Sequence, residues 1–234
     1  MTLVFDWDGT LHNTLRLYGK AFRIAYQDLV EKGHAPSRYC SDQEMSQYLG
    51  MSAPDMWNAF MPELPQEVKN MASDRVGQEM IKLIEQGEAI LYDGVPALLD
   101  QLRSQGYTMV FLSNCKHAYQ EAHRRQFGLD RWFSGYFCCE DYGFRPKEEI
   151  FPYITAQFPE PYVVIGDRAS DFKVAQVHGL KSIGCAYGFG TEDELRMADF
   201  VVSSCGEILN CIMDRCENIP IPVIQVQGYC DVKI

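Results

Sequence analysis

The chain has 234 residues, of which 32 are acidic and 21 basic, for a formal net charge of −11 at pH 7; 47% are hydrophobic and 23% charged. That balance suits a globular chain with a sizeable core, as one large domain or one core carrying an insertion, and excludes a disordered tail protein, a collagenous chain and a disulfide miniprotein. The acidic excess argues against nucleic acid as a partner, which requires a basic field, and sets an unfavourable sign for any phosphate-bearing substrate.

Thr2 to Phe5 is a short apolar run ending at Asp6, which predicts a buried strand. From Leu15 the period becomes helical, with Leu15, Tyr18, Phe22, Ala25 and Leu29 at three- and four-residue steps. Ser41-Asp42-Gln43-Glu44 and Ser52-Ala53-Pro54-Asp55 each predict a capped helix start. A further long helix is expected from about Pro65 to Gln86, and no strand between Leu15 and Leu91. After Asp93-Gly94 the elements alternate. Helices are expected over 95–105, 117–127, 148–157, 169–178 and 207–213, with Gly106, Gly128 and Gly179 as stops. Strands are expected over 107–112, 136–139, 162–165, 181–186 and 199–202. Such alternation implies right-handed crossovers and a doubly wound, parallel α/β sheet, which binds ligands beyond the carboxyl ends of its strands.

The nine cysteines are odd in number and form no CxxC pair, so they read as reduced, mostly buried thiols, and the Cys/His spacings fit no zinc pattern. No stretch approaches the length of a membrane span, and Asp6 and Asp8 argue against a secretory signal, so the expected location is cytoplasmic.

Three of the expected strands end in polar residues at the ligand edge: Asp6 with Asp8, Ser113, and Asp167. Residues two apart on extended chain point the same way, so Asp6 and Asp8 can face one reacting atom. Asp167 and Asp171, four apart, can both reach a site at a helix start. Four carboxylates converging on one spot repel one another unless a cation lies among them, and all-oxygen ligands favour Mg²⁺ over zinc.

Asp6-Trp7-Asp8-Gly9-Thr10, Leu112-Ser113-Asn114, Arg145-Pro146 and Gly166-Asp167 with Asp171 together resemble the four ordered motifs of haloacid dehalogenase-like hydrolases, in their phosphoglycolate-phosphatase-like branch. The resemblance spans roughly residues 2–213. It implies a Rossmann-like core over 1–14 and 92–214, an inserted all-helical cap over 15–91, and a tail of unassigned role over 215–234. It also implies a phosphatase acting on a small phosphorylated metabolite. Asp6 would be the nucleophile and Asp8 the general acid and base. Mg²⁺ would be held by Asp6, Asp167 and the backbone carbonyl of Asp8, with Asp171 in support. Ser113, Asn114 and Arg145 would bind the phosphoryl oxygens.

The family's third motif usually has Lys before its proline, whereas this chain reads Arg145-Pro146-Lys147. Arg145 is favoured by its place in the motif, with Lys147 as the second candidate. The second acid, Asp8, favours phosphate esters over haloacids. A phosphomutase of the same family and a catalytically idle binding protein are the alternatives. The helical block offers His12, Asn13, Arg16, Lys20, Arg23 and the 48–57 segment toward a leaving group. Arg16, Lys20 and Arg23 could form an anion-binding stripe; Met51 and Trp57 are expected to pack. His117, His123 and His178 are expected at the surface or as caps. The unfavourable overall charge is then resolved locally, because Mg²⁺ with Arg145 or Lys147 restores a sign that attracts phosphate.

Overall fold

The structure, a computed structural model, describes residues 1–49, 51 and 53–216. Ser52 of the second expected cap, and residues 217–234 of the expected tail, lie outside them. The strands β1 (Thr2–Phe5), β2 (Thr108–Ser113), β3 (Phe133–Cys138), β4 (Tyr162–Gly166), β5 (Lys181–Cys185) and β6 (Phe200–Val202) form one parallel sheet in the order β3-β2-β1-β4-β5-β6. Both faces are buried, which explains the nearly continuous apolar runs. Leu3, Phe5, Met109, Phe111, Val163 and Ile165 pack into one core, and Val4, Val110, Leu112 and Val164 into a second on the other face. These sets alternate residue by residue, as the period of an extended chain requires.

Four helices follow β1: α1 (Thr14–Glu31), α2 (Asp42–Ser46), α3 (Ala53–Phe60) and α4 (Gln66–Glu85), with no strand among the described residues of this stretch. Leu17, Ala21, Phe22, Ala25 and Leu29 bury one face of α1, which lies along α4. The Ser41 hydroxyl accepts from Glu44 N at 3.1 Å, so the first expected cap forms. Phe22 stacks on Trp57 with centroids 5.5 Å apart and meets Phe60 edge-on at 5.1 Å. Trp57 is buried as expected, whereas Met51 is exposed.

The remaining helices cover the sheet: α5 (Val95–Ser104), α6 (His117–Phe127), α7 (Lys147–Thr155), α8 (Ala169–His178), α9 (Glu192–Leu195) and α10 (Gly206–Cys211). α5, α6 and α10 supply the first core; α7 and α8 supply the second through Ile150, Phe151, Ile154, Val174 and Ala175. α4 packs on α6, joining the helical block to the sheet layers.

The strands after β1 differ from the expected bounds by one to three residues at one end or both, and two of these differences have a local reason. β3 begins earlier, at Phe133, because Gly135 is accommodated in the strand by a register shift between Met109 and Val110. β6 begins one residue later because Asp199 turns its carboxylate back to Ser182, accepting from N at 2.9 Å and Oγ at 3.0 Å.

Candidate active site

Parallel strands bring their carboxyl ends to one edge, and the strand order sets β1 between β2 and β4. Asp6 therefore emerges between Ser113, the last residue of β2, and Asp167, the first after β4. Gly9 turns the chain away at φ +88°, and any side chain there would overlap the Asp167 carboxylate.

Asp6, Asp167 and Asp171 are buried, with carboxylate oxygens within 4.8 Å of one another. Lys147, 3% exposed, reaches between them: its Nζ donates to Asp6 Oδ1 at 2.5 Å and Asp171 Oδ1 at 2.6 Å. Asp171 Oδ2 accepts from the N–H groups of Asp167 at 3.2 Å and Arg168 at 3.0 Å, which fixes it across the first turn of α8. Asp167 Oδ2 accepts from Phe189 N at 2.6 Å. The Thr10 hydroxyl lies 3.4 Å from both Asp6 and Asp167.

Three carboxylates around one ammonium leave an excess of negative charge away from water. Burial raises the Asp6 pKa well above the carboxylate range; Asp171 and Asp167 push the same way, against Lys147. Asp167 is raised as well, by burial and then by Asp171. For Lys147 burial works downward, but Asp171 and Asp6 outweigh it and keep the ammonium charged. A buried all-oxygen cluster with surplus negative charge fits a hard divalent cation.

Asp8, two residues on, has different company. Its Oδ1 accepts from His12 Nδ1 at 2.9 Å, Thr14 Oγ1 at 2.5 Å and Tyr119 Oη at 2.8 Å. Burial pushes its pKa up, yet the His12 and Thr14 hydrogen bonds and the nearby imidazoles bring it below the ordinary value. His123 stands behind this pocket, accepting from Trp7 Nε1 at 3.3 Å. Burial, with His12 beside it, pushes the His123 pKa down to about 3.

The sites expected from sequence are therefore sorted. Asp6, Asp167 and Asp171 come together; the Asp8 carboxylate joins a separate hydrogen-bond set instead. Ser113 is buried at the edge, whereas Asn114 is exposed and its Oδ1 accepts from Cys139 Sγ at 2.8 Å. The preference for Arg145 is corrected: Arg145 is exposed, and Lys147 enters the acid cluster. Pro146 is extended, at φ −57° and ψ 149°, and Lys147 opens α7 directly after it, facing inward from the helix start. The expectation for His123 is also corrected, because it is fully buried. The proposed stripe is consumed by ion pairs, Lys20 with Glu88 at 2.6 Å and Arg23 with Asp42 at 2.6 Å, while Arg16 is exposed.

Tyr119, Thr14 and Arg168 join the site in addition to the motif residues. The four-residue step from Tyr119 to His123 carries a signal, since it places both on one face of α6. Arg168 gives no such signal. Its guanidinium spans from Glu194, at 2.9 Å, to the carbonyl of Leu49 in the helical block, a contact between segments remote in sequence.

Acidic side chains gathered around one buried ammonium stand at the ligand edge of a sheet of the doubly wound α/β class. Residues 1–179 match the haloacid dehalogenase-like hydrolases, and the chain belongs to that family. It is 34% identical over 110 residues to a 5′-nucleotidase from Pseudomonas aeruginosa, a match covering 45% of this chain and 50% of that protein. It is 23% identical over 218 residues to the pyrophosphatase PpaX of Halalkalibacterium halodurans, covering 90% of this chain and 96% of that one. The fold superposes with a TM-score of 0.76 on the crystal structure of a predicted phosphoglycolate phosphatase from Haemophilus somnus, at 21% identity, covering 89% and 96% of the two chains. The chain thus spans half the length of the nucleotidase and nearly all of the other two. No helix among the described residues is long and apolar enough to cross a membrane.

Proposed function

We propose that this protein is a Mg²⁺-dependent phosphatase that hydrolyses a small phosphate monoester through an aspartyl-phosphate on Asp6. The observation that carries this reading is the placement of Asp6 and Asp8 in opposite surroundings at the end of one strand. Asp6 lies among Lys147, Asp167 and Asp171, where a transferring phosphoryl group needs positive charge and in-line positioning. A carboxylate oxygen of Asp6 attacks phosphorus, the ester P–O bond breaks, and the phosphoryl group passes to Asp6. Asp8 gives a proton to the leaving oxygen, then takes one from the water that cleaves the acyl phosphate, which returns Asp6 and releases phosphate. Lys147, Ser113 and the backbone N–H groups after β2 bind the phosphoryl oxygens. Asp6 and Asp167, with Asp171 in support, would hold the cation, which when bound supplies positive charge to the phosphate.

Residues 1–14 and 92–214 form the catalytic core in this reading, 15–91 a cap over the leaving group, and 215–234 a tail. The Arg168 contact with Leu49 supports a cap seated on the core beside the acids. Cys40, Cys115, Cys138, Cys139, Cys185, Cys205 and Cys211 carry free thiols, which supports a reducing, cytoplasmic setting. The names of the similar proteins choose the first substrates: a nucleoside 5′-monophosphate, pyrophosphate and phosphoglycolate, beside a generic aryl phosphate. Phosphate release is expected from at least one of them with Mg²⁺, lost on thorough chelation and lost in D6N. Release that survives chelation, or none from any ester with Mg²⁺ present, would overturn this function.

A further inference from the structure

One strand over from the acids, a second set of donors converges. His117 opens α6, Cys138 ends β3, and Asp141 lies in the turn that follows. His117 Nδ1, Cys138 Sγ and an Asp141 carboxylate oxygen lie within 4.8 Å of one another, with Nδ1 to Oδ2 at 3.1 Å. The two segments are joined independently of this contact. His117 N donates to Glu140 Oε2 at 2.8 Å, Glu140 N to the Cys115 carbonyl at 3.5 Å, and Cys139 Sγ to Asn114 Oδ1 at 2.8 Å. The sulfur is fully buried, while the His117 and Asp141 side chains are 54% and 43% exposed, so an ion can arrive from solvent and reach a shielded sulfur.

We propose that His117, Cys138 and Asp141 bind a borderline-soft divalent cation, Zn²⁺ foremost, in a metal site separate from the Asp6–Asp167–Asp171 acids. One nitrogen, one sulfur and one oxygen are a zinc donor set, and a thiolate selects against Mg²⁺. Tetrahedral bonds of about 2.0–2.3 Å place donors about 3.5 Å apart, so the trio closes with small side-chain adjustments. Thiolate and carboxylate together balance the charge of the dication. Burial pushes the Cys138 thiol up to about 12, so the sulfur keeps its proton until a cation displaces it to solvent. Three protein ligands leave a fourth position open, as in an exchangeable rather than a structural site. The sequence spacing fits no zinc pattern because the ligands come from a helix start and a strand end joined only by the fold. A bound ion would tie the start of α6, which carries Tyr119 and His123 against Asp8 and Trp7, to the end of β3.

Co²⁺ titrated into the metal-free full chain tests this, because thiolate ligation produces a near-ultraviolet charge-transfer band that the all-oxygen Asp6 cluster cannot give. The expected result is a band saturating at one equivalent, displaced by Zn²⁺ and unaffected by excess Mg²⁺. The band is lost in C138S and retained in C139S and D6N. H117A and D141N change exposed residues and leave the fold intact; each weakens Zn²⁺ binding by at least about tenfold. Absence of the band in the unmodified protein, its persistence in C138S, or unchanged Zn²⁺ affinity in both H117A and D141N would overturn the site. Phosphate release is read separately, so neither result decides the other.

Discussion

Asp6 and Asp8 leave the same strand two residues apart and enter opposite environments. Asp6 is crowded by two other buried acids, and its pKa is driven well up by burial and by those neighbours despite Lys147. Asp8 is buried too, but three donors meet its Oδ1, and the outcome is a carboxyl held below its ordinary value. Identical side chains thus diverge because one has like charges around it and the other has N–H and O–H groups. Pairs of acids pushed apart in this way divide a reaction between them. In the proposed mechanism the lowered pKa of Asp8 suits its second step, taking a proton from water, whereas its first step requires the carboxyl to carry a proton to the leaving oxygen.

The comparison breaks most sharply at the two acids themselves. D6N is expected to lower turnover by at least about 10⁴-fold, since no nucleophile remains. D8N is expected to cost about 10²–10⁴-fold, the range for a lost proton-transfer group. Steady-state phosphate release measures both, and a D8N loss as large as that of D6N would argue against separate roles.

Next in size is the cation among the acids. K147A leaves buried carboxylates uncompensated, at a stability cost of about 3–5 kcal/mol in addition to lost activity. R145A, at an exposed position, is expected to change turnover by no more than about twofold and stability by about 0.5 kcal/mol or less. Urea unfolding and phosphate release on the two variants check this, and equal, small losses would undo the Lys147 assignment.

A smaller effect sharpens the Asp8 side. Y119F deletes one donor to a carboxylate, a hydrogen bond of about 1.5–3 kcal/mol, and is expected to lower kcat about tenfold or more with KM nearly constant. Loss confined to KM would place Tyr119 against substrate rather than against Asp8.

The last effect is on stability rather than turnover and belongs to His123, behind the pocket. Its folded pKa is about 3, below the ordinary histidine value near 6.5. The unfolded chain therefore binds the extra proton first as pH falls, and stability declines from about pH 6.5 toward 3. Above pH 6.5 the contribution is complete. From pH 7 to pH 5 this amounts to about 2 kcal/mol. Urea midpoints at the two pH values, compared with H123Q, measure it; an unchanged slope in H123Q would assign the acid sensitivity elsewhere.

Much of the fold was legible because local rules and tertiary packing agree. The β1 run, the α6 and α8 spans and their glycine stops depend on short-range periodicity and on the left-handed backbone at Gly128, φ 59°, and Gly179, φ 67°. The start of β3 is less legible, because a glycine at 135 weakens the local strand preference and only pairing with β2 carries the strand back to Phe133. The acids were legible for a similar reason, since each stands at a strand end whose position the run of apolar residues announces.

Side-chain direction was not legible. Nothing local distinguishes Arg145 from Lys147; the start of α7 decides, by turning Lys147 inward beneath Asp6 and Asp171. Nothing local marks His123 as buried either, because the polar face of α6 becomes an interior face once Trp7 and Phe127 cover it. The sequence by itself determined a parallel α/β chain, a helical block after its first strand, and four acids at the ligand edge, all consequences of periodicity and strand termination. Only the tertiary structure decided which cation joins those acids, that Asp8 stands apart from them, and that His117, Cys138 and Asp141 meet. Each of these depends on contacts between segments distant along the chain, where spacing carries no information about direction.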